Sequence, residues 1–341
     1  MNRCVLIPKP GVVRLEERPM PVPARGEALL KVLYGGICGS DLGTYRGTLA
    51  YVSYPRVPGH ELAAEIVDVP ASNAFSLKPG MLVTVNPYFN CGTCYPCRNG
   101  RVNCCVSNQT MGVQREGGFS NYLTMPMERI YPVENLGARE TALIEPFCIS
   151  YHGIKRAGIK PGEKVLIVGA GTIGVLAMLA ARHFGAEAYI ADIAPGKLEH
   201  AARLGAAGTF LNTSPEALAE WAADTTGGDS FGVTVEAVGM AGTFRNAIDS
   251  AAFSGRVVVI GVSKETLDFD FTVIQKKELT VFGSRNATRS DFTDVMEIMK
   301  SLPLSSDMVV TDVYKVEQAA EAFAEFSAKA GEKLKVLLDF S

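Results

Sequence analysis

Cys91, Cys94, Cys97 and Cys105 follow one another at the spacing Cys-x2-Cys-x2-Cys-x7-Cys, in a short stretch bent by Gly92, Pro96 and Gly100. Four thiolates so close along a chain can close a tetrahedral shell around one zinc ion and leave no open position, which is the chemistry of a structural site. A redox Cys-x-x-Cys pair would need neither the third nor the fourth cysteine. Cys104 adjoins Cys105 and offers another fourth sulfur. Upstream, Gly35-Gly36-Ile37-Cys38-Gly39-Ser40-Asp41 and Pro58-Gly59-His60-Glu61 set a cysteine and a histidine 22 positions apart, where a packed thiol and an unrelated histidine are the plainer reading. Ala142-Leu143-Ile144-Glu145-Pro146 places a carboxylate in an apolar run. Burying it is costly unless a cation, either a metal ion or an arginine, compensates the charge. The other histidines, His152, His183 and His200, follow this region or sit in helical patterns, so a second, catalytic zinc would need Cys38, His60 and a carboxylate. Cys4 and Cys148 have no companions and read as packed thiols.

A second chemical signature runs from Val165 to Asp192: an apolar strand Val165–Val168, then Gly169-Ala170-Gly171-Thr172-Ile173-Gly174, an Ala-rich helix, a strand ending at Ala191, and an acid. In that context Gly-x-Gly-x-x-Gly is a dinucleotide fingerprint. Gly169 makes the turn, Gly171 lets the pyrophosphate approach the backbone, and Gly174 lets the helix pack on the strand. The helix N-terminus then points free N–H groups at the phosphates, with Thr172 and Ile173 in its first turn. Asp192 stands where a carboxylate accepts both ribose hydroxyls of NAD and repels the extra phosphate of NADP.

These groups need elements to hold them. Beyond Val165 the strands expected are Val165–Val168, Ala188–Ala191, Thr209–Leu211, Val233–Ala237, Val257–Ile260 and Leu279–Phe282, alternating with helices, as in a doubly wound parallel sheet. The loops at Val238-Gly239 and Gly261-Val262 would then lie over the nicotinamide. Residues 1 to about 90 alternate short Val/Leu/Ile runs with Gly and Pro, the texture of a β-rich, barrel-like domain. The end of the chain holds helical patterns at Phe292–Ser301 and Val316–Ala328 and a strand at Leu334–Phe340, too little for a domain of its own. The expected α/β division is therefore 1–148 with 286–341 as the zinc-binding catalytic domain, its zinc lobe at about 88–108, and 149–285 as the NAD domain.

With 33 basic against 36 acidic residues, the composition gives no electrostatic case for nucleic acid or a membrane surface. The apolar run near Met1 is too short for a secretion signal. A cytoplasmic location is expected, with the cysteines reduced or bound to metal.

The residues quoted above, all in order along essentially the whole chain, resemble the zinc-dependent medium-chain dehydrogenases. The resemblance implies a GroES-like catalytic domain beside a Rossmann domain, and a catalytic zinc held by Cys38, His60 and Glu145 in the cleft between them. It implies that Glu61 lies behind these ligands or exchanges with them, that Asp41 orients His60, and that Cys105 completes the structural site. The activity implied is transfer of a hydride from a secondary alcohol to NAD. Ser40 would pass the proton outward; its alternative is a turn-capping hydroxyl. Many polyol dehydrogenases carry a histidine where this chain has Gly43, so water would serve as the outer end of the relay. Relatives form dimers or tetramers, which implies a homo-oligomer.

Within that superfamily three stretches are most similar to the sugar-acid and polyol branch: Ser53-Tyr54-Pro55-Arg56-Val57, Glu145-Pro146-Phe147-Cys148-Ile149-Ser150 and Gly283-Ser284-Arg285-Asn286-Ala287-Thr288. Arg285 could grip a substrate carboxylate bidentately or brace the protein. L-threonine and sorbitol-type dehydrogenases are the alternatives within the enzyme class. An inactive nucleotide-binding or structural protein is the alternative outside it, and the open metal site speaks against that.

Overall fold

The computed structural model describes residues 1–262, 265–302 and 305–341. The chain divides into two compact units, Met1–Glu145 with Thr288–Ser341, and Pro146–Ala287.

In the first unit a seven-stranded sheet runs in the order Val310–Lys315, Lys335–Asp339, Glu27–Ile37, Glu61–Asp68, Leu82–Val85 and Ile130–Pro132, with Tyr122–Pro126 also paired to Glu27–Ile37. Along Glu27–Ile37, Ala28, Leu30 and Val32 are fully buried, the period-two pattern of a strand with one face in a core. That core includes Ile7, Leu62, Val83, Phe119, Phe323 and Val336. The strand ends in two glycines for a steric reason. A Cβ on Gly36 would come within 2.1 Å of Glu61 Oε2, so only glycine leaves room for that carboxylate. The closing strand Lys335–Asp339 lies on the other side of Glu27–Ile37, with Val336 opposite Ile37. The cysteine lobe is closed at its base by the two-residue strands Tyr88–Phe89 and Gln109–Thr110, Tyr88 opposite Thr110.

The second unit holds a six-stranded parallel sheet in the order Gly208–Leu211, Glu187–Asp192, Lys164–Val168, Phe231–Glu236, Ala251–Val259 and Thr280–Gly283. This is the doubly wound order, which reverses between Lys164–Val168 and Phe231–Glu236 and so opens the crevice that takes a dinucleotide. Buried Leu166, Val168, Phe231 and Val257 pack against Leu218, Ala247 and Ile248 from the helices.

The strands differ from their sequence expectation mainly at one place. The fifth begins at Ala251, not Val257, because the chain pairs first at Phe231↔Ala251, breaks register, and resumes at Val233↔Arg256. The helix expected over Val316–Ala328 opens as a tight turn, Val316–Gln318, before the regular helix Ala319–Ala328. Among the described residues no helix is long and apolar enough to cross a membrane.

Candidate metal centres and nucleotide site

Cys38 follows the strand Glu27–Ile37 and caps the helix Gly39–Arg46. His60 precedes the strand Glu61–Asp68 that starts with Glu61. Because the two strands pair with Gly36 opposite Glu61, these turns meet, and Cys38, His60 and Glu61 offer ligand atoms that all lie within 4.8 Å of one another. Asp41 ties the turns together: its Oδ2 accepts from the Cys38 N–H at 2.9 Å and its Oδ1 from the Gly59 N–H at 3.1 Å. The same oxygen is 3.9 Å from His60 Nδ1, too far for the orienting hydrogen bond that the family resemblance implied. That ring nitrogen is buried without a hydrogen-bond partner. Burial works against the imidazolium, but the charges of Asp41 and Cys38 prevail and lift His60 well above its usual pKa.

Besides Glu61, which belongs to this group, a second buried carboxylate, Glu145, stands outside it while its charge still acts on His60. Glu145, in the first turn of the helix Ile144–Ala157, accepts a hydrogen bond from the Tyr88 hydroxyl. Burial, reinforced by Glu61, pushes its carboxyl up to about 7 against the opposing pull of His60, Tyr88 and Lys335. Glu61 is held by Lys335, whose Nζ is 2.7 Å from Oε1 and 2.6 Å from Oε2. A thiol, an imidazole with an orphaned buried nitrogen and neighbouring carboxylates form the donor set that suits zinc.

In the lobe Cys91, Cys94, Cys97 and Cys105 form the other close group, and all eight cysteines of the chain are free thiols. Cys94 Sγ lies 3.4 Å from Cys97 Sγ and 3.8 Å from Cys105 Sγ. Sulfurs about 2.3 Å from a common tetrahedral centre would stand roughly 3.8 Å apart, so the cage has the size of a zinc site. Backbone N–H groups of Cys94 and Cys91 point at Cys91 Sγ and Cys105 Sγ. The hydrogen bond from Thr93 leads in pulling the Cys91 thiol down to about 6, while desolvation pushes Cys97 up to about 11. Cys104 stands outside the group.

In the second unit the fingerprint turn joins Lys164–Val168 to the helix Thr172–His183. A Cβ on Gly174 would meet Gly169 O at 1.8 Å, whereas one on Gly171 would meet nothing within 4 Å, so one glycine serves packing and the other leaves open space for a ligand. Asp192 Oδ2 accepts from the Ala170 N–H at 2.6 Å and Oδ1 from the Ala194 N–H at 2.9 Å, fixing the carboxylate at the mouth of the turn. Val238 and Val262 are exposed, and a Cβ on Gly261 would strike Gly239 N at 2.2 Å, so the two late loops touch. Glu236, which the sequence did not single out, holds the first of them: its Oε1 accepts from the N–H groups of Val238 (2.9 Å) and Gly239 (2.8 Å) and from Thr243 Oγ1 (2.7 Å). Arg285 is exposed on this unit, just beyond the strand Thr280–Gly283, while Ser40 lies in the first unit on the helix Gly39–Arg46.

Tyr88 and Lys335 also escaped the sequence reading. Neither belongs to a motif, although a lysine between Leu334 and Val336 in an apolar closing strand is a charge that must find a partner.

Residues 24–135 match the family model of the alcohol dehydrogenase GroES-like domain, and residues 172–301 that of zinc-binding dehydrogenase. The chain is 38% identical to the L-galactonate-5-dehydrogenase of Escherichia coli K12 across 95% of both chains. It is 31% identical to a sorbitol dehydrogenase of Bacillus subtilis across 96% of this chain and 94% of that one. A crystal structure from E. coli CFT073, described as a short chain alcohol dehydrogenase complexed with NADH, superposes with a TM-score of 0.91 at 29% identity, covering 99% of both chains.

Proposed function

The chain belongs to the zinc-dependent medium-chain alcohol dehydrogenases, and from that membership we propose that it oxidises a secondary hydroxyl of a sugar acid, with hydride passing to NAD. As a member it is an enzyme acting on CH–OH groups with zinc and NAD as cofactors. The observation that carries the substrate class is the 38% identity, sustained over 95% of both chains, to a dehydrogenase of L-galactonate.

In this reading Cys38, His60 and Glu145 hold the catalytic zinc, and Cys91, Cys94, Cys97 and Cys105 the structural one. Zinc in the first site supplies a Lewis acid that makes the substrate hydroxyl easier to deprotonate. The protein does the rest. Asp41 fixes the turns of Cys38 and His60 through their backbones, and Tyr88 holds Glu145. Ser40 takes the hydroxyl proton and hands it outward to water, since Gly43 offers no side chain to continue the path. Gly169, Gly171, Thr172, Ile173, Gly174 and Asp192 bind the adenosine and pyrophosphate part of NAD, and Val238, Gly261 and Val262 the nicotinamide half. Arg285 grips the substrate carboxylate. The enzyme works as a homodimer or homotetramer in the cytoplasm.

NADH formation by zinc-loaded enzyme against aldonates, uncharged polyols and L-threonine tests the assignment. A strong preference for an aldonate supports it. Equal or faster turnover of free polyols would move the enzyme to the sorbitol type, the reading that the 31% identity to a sorbitol dehydrogenase favours, and would release Arg285 from substrate binding.

A further inference from the structure

We propose that Ser150 is a positioning residue of the nucleotide site: its hydroxyl holds and polarises the amide whose N–H, that of Gly174, receives the pyrophosphate of NAD. The inference rests on the assignment of the turn at residues 169–174 to NAD.

Ser150 lies in the helix Ile144–Ala157 and is fully buried. Its Oγ stands 2.8 Å from Ile173 O, in the first turn of the helix Thr172–His183, and 3.4 Å from Pro146 O, four residues back in its own helix. A hydroxyl has one hydrogen to give, so it goes to the shorter contact, across to the neighbouring helix. The anchor is rigid. Phe147, Cys148 and Ile154 on the same helix are fully buried, and a Cβ on Gly153 would come within 2.6 Å of Ile260 Cδ1, so close packing holds this helix in place.

The effect of this bond follows from the chemistry of one amide. The carbonyl of Ile173 and the N–H of Gly174 belong to the same planar, conjugated peptide unit. The hydrogen-bond ladder of the helix begins with the Val175 N–H on Gly171 O at 2.9 Å, so the Gly174 N–H precedes it and is spare for a ligand. N–H groups at this end of a helix are the ones that meet an anion. Ile173 O already serves its own helix as an acceptor, and a second donor on it draws electron density toward the oxygen, which makes the Gly174 N–H a stronger donor. The orientation of the amide is set as well. The close approach of Gly174 to Gly169 O, where a Cβ would stand at 1.8 Å, fixes the turn against its strand, and Ser150 fixes it against a second helix.

Ser150→Ala removes the hydroxyl and leaves no buried group unpaired, because Ile173 O keeps its helical partner, so the variant is expected to fold as the unaltered protein does. Fluorescence titration gives the affinity for NADH, and displacement of NADH gives those for ADP-ribose and adenosine. NADH and ADP-ribose, which carry the pyrophosphate, are expected to bind Ser150→Ala about three- to tenfold more weakly, the loss that one hydrogen bond accounts for. Adenosine, which has no phosphate, should keep its affinity. Ser150→Cys, close in shape and with a weak S–H donor, is expected to fall between the two proteins. Unchanged affinity for NADH and ADP-ribose in Ser150→Ala would overturn the proposal. Equal weakening of all three ligands would overturn it too, since it would show that Ser150 only packs the two helices together. Failure of the underlying assignment reads differently: Gly171→Val, which fills the open space at the turn, would leave NADH binding untouched.

Discussion

The Tyr88 hydroxyl donates a hydrogen bond to Oε1 of Glu145, a residue 57 positions further along the chain. Tyr88 is itself fixed, because Arg129 Nη1 donates to its backbone carbonyl at 2.5 Å and Nη2 to Asn90 Oδ1 at 2.9 Å. Tyr88→Phe keeps the ring and removes only the grip on the carboxylate. The expected result is a catalytic zinc bound about 10- to 100-fold more weakly, with slower turnover and little change in NADH affinity. Chelator competition alongside NADH formation measures both, and an unchanged zinc affinity would place Glu145 outside the metal shell.

The lobe should respond to individual cysteines according to the cage. Cys94→Ser opens a group whose sulfurs lie 3.4 and 3.8 Å apart and should lose the structural zinc, lowering the melting temperature by roughly 10 °C. Cys104→Ser, next in sequence to a ligand but outside the group, should leave zinc content and melting temperature where they were. Zinc analysis and calorimetry on the two variants decide it; loss of metal from the Cys104 variant would exchange the roles of the neighbours.

What could be read from sequence and what could not follows from how each signal is written. The four cysteines and the glycine turn are local patterns, in which spacing along the chain is nearly spacing in space. The parallel strands are short, strongly apolar runs, so their identity and order were legible, while the early start of Ala251–Val259 was not, because it depends on a break in register with a partner strand. Tyr88, Glu236 and Lys335 are single residues of common types. Their roles arise from contacts that pairing creates: Lys335 meets Glu61 only because both flank the same strand. The Asp41 reading failed in an instructive way. The pairing with His60 was implied by the family resemblance and by no local pattern, and in the structure the N–H groups of Cys38 and Gly59 hold the carboxylate instead.

Glu236 should control the nicotinamide loop without touching metal. Glu236→Ala leaves the Val238 and Gly239 N–H groups and the Thr243 hydroxyl without their acceptor and so frees the loop that they hold. NADH should bind at least about tenfold more weakly, a change of about 1.4 kcal/mol, while zinc content stays constant. Glu236→Gln retains an oxygen in the same place and should bind NADH almost as the unaltered protein does. Fluorescence titration separates the pair; equal loss in both would point to the charge, not the hydrogen bonds.

Asp192→Ser should relax the choice between cofactors. The present carboxylate, fixed by Ala170 N–H and Ala194 N–H, would face the extra phosphate of NADP with like charge. Replacing it should cut the NAD-over-NADP ratio of kcat/KM by more than about tenfold. Steady-state rates with both cofactors report the shift, and an unmoved ratio would take Asp192 out of the ribose site.

Acid should loosen the C-terminal return of the chain at a definable place. Glu325, on the helix Ala319–Ala328, accepts a hydrogen bond from Tyr314 and pairs with Lys329 Nζ at 3.0 Å and Lys333 Nζ at 3.6 Å. Led by the Tyr314 bond, these partners hold its carboxyl down at about 2, against 4.5 for a free glutamate. A depressed folded-state pKa means that the unfolded chain takes up the proton first. The stabilisation is therefore complete above pH 4.5 and is lost as the pH falls toward 2. Glu325→Gln removes the titration, so the gap in urea midpoint between the two proteins should be widest near neutrality and should shrink by pH 3. Zinc loss in acid affects both proteins alike and cancels in the comparison. A gap of the same width at both pH values would mean that the helix is held to Val310–Lys315 by packing alone.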